Sequence, residues 1–285
     1  MKTRYILAAL LCTAAISCGR EDRPSGDVGL VTLEASIGTP GTRIHFTGET
    51  ELATFTSWEA DDCIWVRSDT QPYWERGECF ATSASAITGD GHSASFTGRT
   101  RTDGRLAAVY PFGVVEDGSD NDHILMEVPQ SRTLAVDDCP DGAIYAAAFW
   151  ADGADRFSMN YLVGAVKFSL RGSGEKVKRF ELVDADASRA LWGKLEVEPD
   201  YEQKGIASVN MTCESESRNS IFLDADLTLG ETAVSFYFVL PEGALKSGFS
   251  LKAYGEGGAV VASVSSDKDN SVVRGQVVRM PEVTL

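Results

Sequence analysis

Short runs of alternating or β-branched residues, each closed by Gly, Pro, Asp, Asn or Ser, recur from residue 30 to residue 280. Successive side chains of a strand point to opposite faces, so a period of two buries one face and wets the other. The stretch "KVKRFELV" (176–183) shows this most plainly, with basic and apolar residues in turn. Earlier runs are "LVTLEASI" (30–37), "RIHF" (43–46), "CIWV" (63–66), "ECFAT" (78–82), "ASFTG" (94–98), "LAAVYPF" (106–112) and "HILMEV" (123–128). Later ones include "YLVGAVKFSLRG" (161–172), "LWGKLEVE" (191–198), "VSFYFVLP" (234–241), "FSLKAYG" (249–255) and "AVVASVS" (259–265). Within them "FYFV" (236–239) is apolar on both faces, which predicts a central place in a sheet. The Ala-rich "AIYAAAFWA" (143–151) reads equally as a strand or a short helix. The pattern predicts an all-β protein of two consecutive antiparallel β-sandwich domains. The polar stretch "WADGADRFSMN" (150–160) marks the boundary, giving an N-terminal sandwich over 28–155 and a C-terminal one over 156–285.

The N-terminus carries an export signal. Lys2 and Arg4 precede an apolar run of twelve residues, Tyr5 to Ile16, interrupted only by Thr13. That run is shorter than the ~20 residues a membrane-spanning helix takes, and it fits a signal peptide over 1–17. Ser17 before Cys18 is similar to the lipobox of bacterial lipoproteins, in which the cysteine is acylated and becomes the new N-terminus. The alternative is ordinary cleavage with no role for Cys18. Residues 18–27, "CGREDRPSGD", read as a flexible tether.

The whole chain holds 42 acidic against 26 basic residues, and loss of Lys2 and Arg4 with the leader widens that excess. Such a surface repels phosphate backbones, so nucleic acid is excluded as a partner, and adsorption to anionic lipid heads is disfavoured. The predicted membrane contact is the lipid on Cys18. Beyond it lie Cys63, Cys79, Cys139 and Cys213, with no CxxC pair to hold zinc. Export permits a disulfide, and Cys63 with Cys79 is the nearest pair, on two strands that would be neighbours; spacing alone leaves the pairing open.

No constellation for catalysis stands out. His45, His92 and His123 share no ligand spacing, and no nucleophile elbow, phosphate loop or dinucleotide fingerprint is present. The acidic turn "EDGSDNDH" (116–123) lacks the spacing of a calcium loop and reads as a solvated turn. The expectation is a protein that is not an enzyme and needs no cofactor or metal. Of the clustered aromatics, Trp58 and Trp65 begin or lie within strands and read as core. Tyr73 and Trp74 follow Pro72 in a loop and are the candidates for stacking on a sugar ring.

The order of motifs resembles fimbrillin-family lipoproteins of Bacteroidetes. The segments that carry the resemblance are "TSWEADDCIWV" (56–66), "AVYPF" (108–112), "VPQSRTL" (128–134), "FSMNYLVGAVKFSLRGSGEKVKRFELV" (157–183), "AVSFYFVLPEG" (233–243) and "VVRGQVVRMPEVTL" (272–285). The resemblance implies two transthyretin-like, Greek-key sandwiches on a lipoprotein of the outer membrane, either surface-exposed or incorporated in fimbriae. It implies as partners other fimbrial subunits or ligands on host or bacterial surfaces. In polymerising members a protease removes the leader and first strand, and a strand of the next subunit fills the groove. The equivalent here is a cut at Arg43 in "TPGTRIHF" that releases "LVTLEASI".

Two departures qualify the resemblance. Cys63, Cys79 and Cys139 are not features of the family. The chain also closes on "PEVTL" without a long donor strand, so the expectation is a tip or anchor subunit or a non-polymerising adhesin rather than a stalk. The alternative function is a surface glycan-binding module built on Tyr73 and Trp74.

Overall fold

The computed structural model describes residues 28–37, 57–72, 77–88, 91–101, 103–150 and 154–284. They form strands joined by turns. The first group is β1 (Gly29–Ile37), β2 (Cys63–Ser68), β3 (Glu78–Ala81), β4 (Ile87–Thr88), β5 (Ser93–Thr100), β6 (Leu106–Tyr110), β7 (Ile124–Val128), β8 (Ser131–Thr133), β9 (Ala146–Trp150) and β10 (Arg156–Tyr161). The second group is β11 (Val163–Arg171), β12 (Lys176–Asp184), β13 (Gly193–Asp200), β14 (Gly205–Thr212), β15 (Ser220–Thr228), β16 (Val234–Pro241), β17 (Phe249–Tyr254), β18 (Val260–Ser266), β19 (Val277–Arg279) and β20 (Val283–Thr284). The Ala-rich stretch, open between strand and helix by sequence, is the strand β9. Small side chains there let it lie buried on both faces.

The first half does not form an open two-sheet sandwich. Its strands follow the order β1-β10-β9-β6-β2-β3-β5, and β5 pairs back onto β1, so seven strands close into a barrel-like ring. Closure leaves neither β1 nor β5 as a free edge. Inward side chains fill the ring: Leu33, Ala35 and Ile37 of β1 share its core with Phe80, Phe96 and Trp150. Glycine at position 98 permits the close approach of one of these rings, since a Cβ there would lie 2.4 Å from the Phe80 side chain.

Strand pairing also crosses the boundary expected at 155/156. β10, assigned by composition to the second unit, pairs with β1 and β9 in the ring. β7 pairs with β13, and β8 pairs with β15. A second core lies on the outer side of the ring wall. There Ala107, Val109 and Phe149 meet Met126 of β7 and Leu195 and Val197 of β13. Strand β10, in the second part of the polar 150–160 stretch, is therefore a strand of the ring, and its Phe157 and Met159 continue the hydrophobic contacts of the ring core.

The third core is a sandwich. One sheet has the order β16-β11-β19 with β20 also on β11, and the other runs β18-β17-β12-β15-β8. Between them Phe168, Phe180, Phe236 and Phe238 pack with ring centroids 4.4–6.1 Å apart. The strand holding "FYFV" is not central: β16 pairs with β11 alone among the named strands. Its two apolar faces have another cause. Phe236, Phe238 and Leu240 enter the sandwich core, while Tyr237 and Val239 face the core shared with the ring wall. Apolar faces report what lies above and below a strand, whereas lateral neighbours are chosen by backbone hydrogen bonds.

Two outcomes follow from this packing. Phe236→Ala removes a ring touching three other aromatics and is expected to destabilise the fold by about 3–5 kcal/mol in urea denaturation. The buried tyrosines give an alkaline limit. Burial raises the hydroxyl pKa of Tyr110, with Asp62 adding to it, and burial likewise raises Tyr145; burial pushes Tyr201 up to about 12. Unfolded tyrosine ionises near pH ~10. Below that pH both states are protonated and stability is complete. Above it only the unfolded chain gains by ionising, so stability falls as pH rises from about 10 through 12. Denaturant midpoints followed against tyrosinate absorbance check this window.

Candidate functional site

The strand that closes the ring is the candidate site. In β1 the residues alternate: Leu33, Ala35 and Ile37 are buried, and Thr32, Glu34 and Ser36 face outward. Burying aliphatic side chains of the size of Leu33 or Ile37 contributes about 1.5–3 kcal/mol each. The backbone is held from both sides. From Gly29 to Ser36, β1 runs antiparallel to β5, opposite residues 100 to 93. From Glu34 to Ile37 it runs parallel to β10, opposite Arg156 to Met159. The Glu34 amide donates to Asp155 O at 2.7 Å and the Ile37 amide to His92 O at 2.8 Å.

The outward side chains add polar ties to the same two neighbours. Thr32 and Thr97 hydroxyls lie 3.0 Å apart, and those of Ser36 and Ser158 2.9 Å apart. The Arg156 guanidinium meets Glu34 at 3.1 Å. These contacts are exposed and the ion pair is screened by salt, so the inward aliphatic residues dominate retention. Removing β1 would uncover one side of the core and leave the facing edges of β5 and β10 without their ladder partner. A groove of that shape would match an extended chain with aliphatic residues at alternate positions.

The sequence candidates fall in different places. Cys18, Arg43, Tyr73 and Trp74 lie outside the described residues, as does His45. Trp58 and Trp65 are buried at 3% and 4% exposure. A disulfide joins Cys63 and Cys79 across β2 and β3, with Cα atoms 5.8 Å apart; Cys139 and Cys213 are free thiols. His92 precedes β5, and His123 contacts Glu196 beside the β7–β13 pairing, so these two do not converge on one site. Among the described residues no group of three or more His, Cys, Asp or Glu is placed to hold a metal ion, and no helix is long and apolar enough to cross a membrane. The acidic turn holds a residue that motif reading overlooked. Asn121 is 2% exposed, accepts from buried Arg67 at 2.8 Å, and donates back to the Arg67 carbonyl at 3.0 Å.

No family model matches the chain, and no curated protein is similar to it in sequence. Solved structures are similar in fold. A protein of Bacteroides ovatus provisionally named a cell adhesion protein superposes with a TM-score of 0.50 at 11% identity, covering 90% of this chain and 92% of that one. The fimbrial anchor protein Mfa2 of Porphyromonas gingivalis gives 0.37 at 13% identity over 84% and 82% of the two chains. The tip fimbrial protein Mfa3 of the same organism, truncated at its C-terminus, gives 0.31 at 10% identity over 88% and 93%. The Bacteroides ovatus structure shares the fold of this chain.

The disulfide closes a loop with a sequence separation of 16. On the loop-entropy scale, Cys63→Ser with Cys79→Ser is expected to lower stability by about 3 kcal/mol. Denaturant midpoints of the variant and of the oxidised parent check it.

Proposed function

We propose that this chain is a non-catalytic cell-surface protein of the fimbrial and adhesin type, serving as a tip or anchor subunit or as an adhesin. In this reading Cys18 carries the lipid that holds it to the outer membrane, and a cut at Arg43 frees the end containing β1. A strand from another fimbrial subunit then enters between β5 and β10. The observation that carries the proposal is the placement of β1. It completes a closed ring, plugs the core with alternate aliphatic residues, and precedes Arg43 by only a few residues in a Gly/Pro/Thr-rich segment. Composition of that kind favours nicking between strands.

Energetics fit exchange better than simple loss. The opened ring would present two unpaired edges and a row of aliphatic sockets, a combination that recruits another strand. A donor must run antiparallel to β5 and parallel to β10, and its residue at the place of Ala35 must be small, because that position has no exposed surface.

The test uses the exported chain and an arginine-specific protease. Cleavage at Arg43, followed by removal of the released fragment in mild denaturant, is expected to yield a protein that rebinds a synthetic peptide of residues 28–37 in trans. The cleaved protein should also form detergent-resistant oligomers with cognate donor strands, and Arg43→Ala should block both. A cleaved protein that neither takes up the peptide nor leaves the monomeric state would rule out assembly by strand exchange.

A further inference from the structure

The five-stranded sheet β18-β17-β12-β15-β8 contains no strand of the ring, and its outer face carries a cleft of about 490 Å3. That volume is within the range of small-molecule sites, about 300–1,000 Å3. Lys178 and Arg179 of β12, Phe222 and Asp224 of β15, and Tyr254 of β17 line it, with the turn 255–258 as one wall. Register brings these residues together: Arg179 lies opposite Asp224 on one side and Tyr254 on the other. The β12–β15 ladder slips beside the cleft between Val177 and Arg179, and the β17–β18 ladder slips between Ala253 and Tyr254. Such irregularities re-aim side chains and recur next to binding sites.

The aromatic groups are held still. Glu181 accepts hydrogen bonds from the Tyr254 hydroxyl, from Ser220 and from Lys252. Burial would raise the Glu181 pKa, but the hydrogen bonds from Tyr254 and Ser220 and the Lys252 charge together hold it below the usual carboxylate range. The same bond to Glu181 is the main cause that pushes Tyr254 up to about 12, so it donates as a neutral phenol. The Arg179 guanidinium lies 5.1 Å from the Phe222 ring centre and 2.6 Å from Asp224, while Lys178 meets Asp226 at 2.6 Å. Gly257 and Gly258 both have φ of 80°, and a Cβ at either would meet nothing within 4 Å, so this wall leaves the mouth open.

Charge selects among ligand classes. The lining residues Lys178 and Arg179 are matched by Asp224 and Glu256, and the whole chain carries a formal charge of −16. Nothing there favours a polyanion, and the surrounding field opposes one. A sheet face also offers no backbone ladder to an extended peptide, which binds at edges. What remains is a ligand with apolar C–H faces for a fixed aromatic ring and hydroxyls that both donate and accept. We propose that this cleft binds a neutral oligosaccharide, with Tyr254 as the stacking platform and Arg179, Asp224 and Lys178 bonding to sugar hydroxyls.

The site is separate from the proposed Arg43 cut, so the binding test uses the full exported chain with Arg43→Ala, which keeps β1. The probes are mannohexaose, cellohexaose, laminarihexaose and lacto-N-tetraose, with sialyllactose and an unstructured peptide for comparison, read by calorimetry and tyrosine fluorescence. At least one neutral sugar is expected to bind. Tyr254→Ala and Arg179→Ala should each weaken it about tenfold, and Tyr254→Phe less than about threefold. Both side chains are partly exposed, and thermal melting unchanged from the parent is the control that the variants fold. Binding of no neutral sugar, binding of the peptide or sialyllactose alone, or affinity unmoved by both Ala variants overturns the assignment. Tyr73→Ala with Trp74→Ala in the same chain should leave the affinity unchanged; loss of binding there, with none at Tyr254, places the sugar elsewhere and also overturns it.

Discussion

Closure of the ring by β1 is the constraint on which the first half of the molecule depends. β1 pairs with β5 on one side and β10 on the other, strands separated by more than fifty residues of chain. Its inward aliphatic residues complete the core that also holds Phe80, Phe96 and Trp150. The ring wall then becomes a platform, because Ala107, Val109 and Phe149 on its outer side form a second core with β7 and β13. The edge strand β16 links this platform to the sandwich, with Tyr237 in one core and Phe236 and Phe238 in the next. Three hydrophobic cores thus stack in series, and a change at β1 acts on one end of the series.

That arrangement is compatible with the proposed exchange of the first strand. The sandwich core shares no residue with the core that β1 fills, and its sheets contain no ring strand. Opening the ring therefore leaves the Phe168, Phe180, Phe236 and Phe238 cluster intact, since packing losses are local when no contacts are shared. The cleft at Tyr254 lies on the sandwich side of this division. Ligand binding and strand exchange can be separate properties of one chain, carried by different cores.

Legibility in the sequence followed the range of the interaction. Alternation in "KVKRFELV" sufficed to place Phe180 and Leu182 inward in β12, whereas Val177 joins that face only through the slip between Val177 and Arg179; the run "LVTLEASI" likewise placed Leu33, Ala35 and Ile37. Trp58 and Trp65 were readable as core from their strand context. The ring was not readable, because nothing in β1 names β5 or β10: a strand advertises which face is apolar and leaves its lateral partners to backbone bonds that every residue offers equally. Pairing across residue 155 was unreadable for the same reason, since polar composition says nothing of which strands lie side by side. The run "FYFV" predicts a sheet centre, yet β16 lies at an edge, because two apolar faces reflect layers above and below a strand and not two flanking strands. Asn121, inside an acidic turn, has no local sequence signal, because its partners Arg67, Arg105 and Tyr201 lie far away along the chain.

By itself the sequence determined an all-β class, a strongly acidic composition and a motif order similar to fimbrillins, and it sets up the expectation of a leader over 1–17. These are properties of composition and of short-range periodicity, in which each residue reports on its near neighbours. Only the tertiary structure decided that β1 closes a ring, that Cys63 and Cys79 join across two of its strands, and that Arg179, Asp224 and Tyr254 share one cleft. Each depends on which distant strands lie side by side and in what register, and a shift of one residue would turn every one of those side chains to the opposite face.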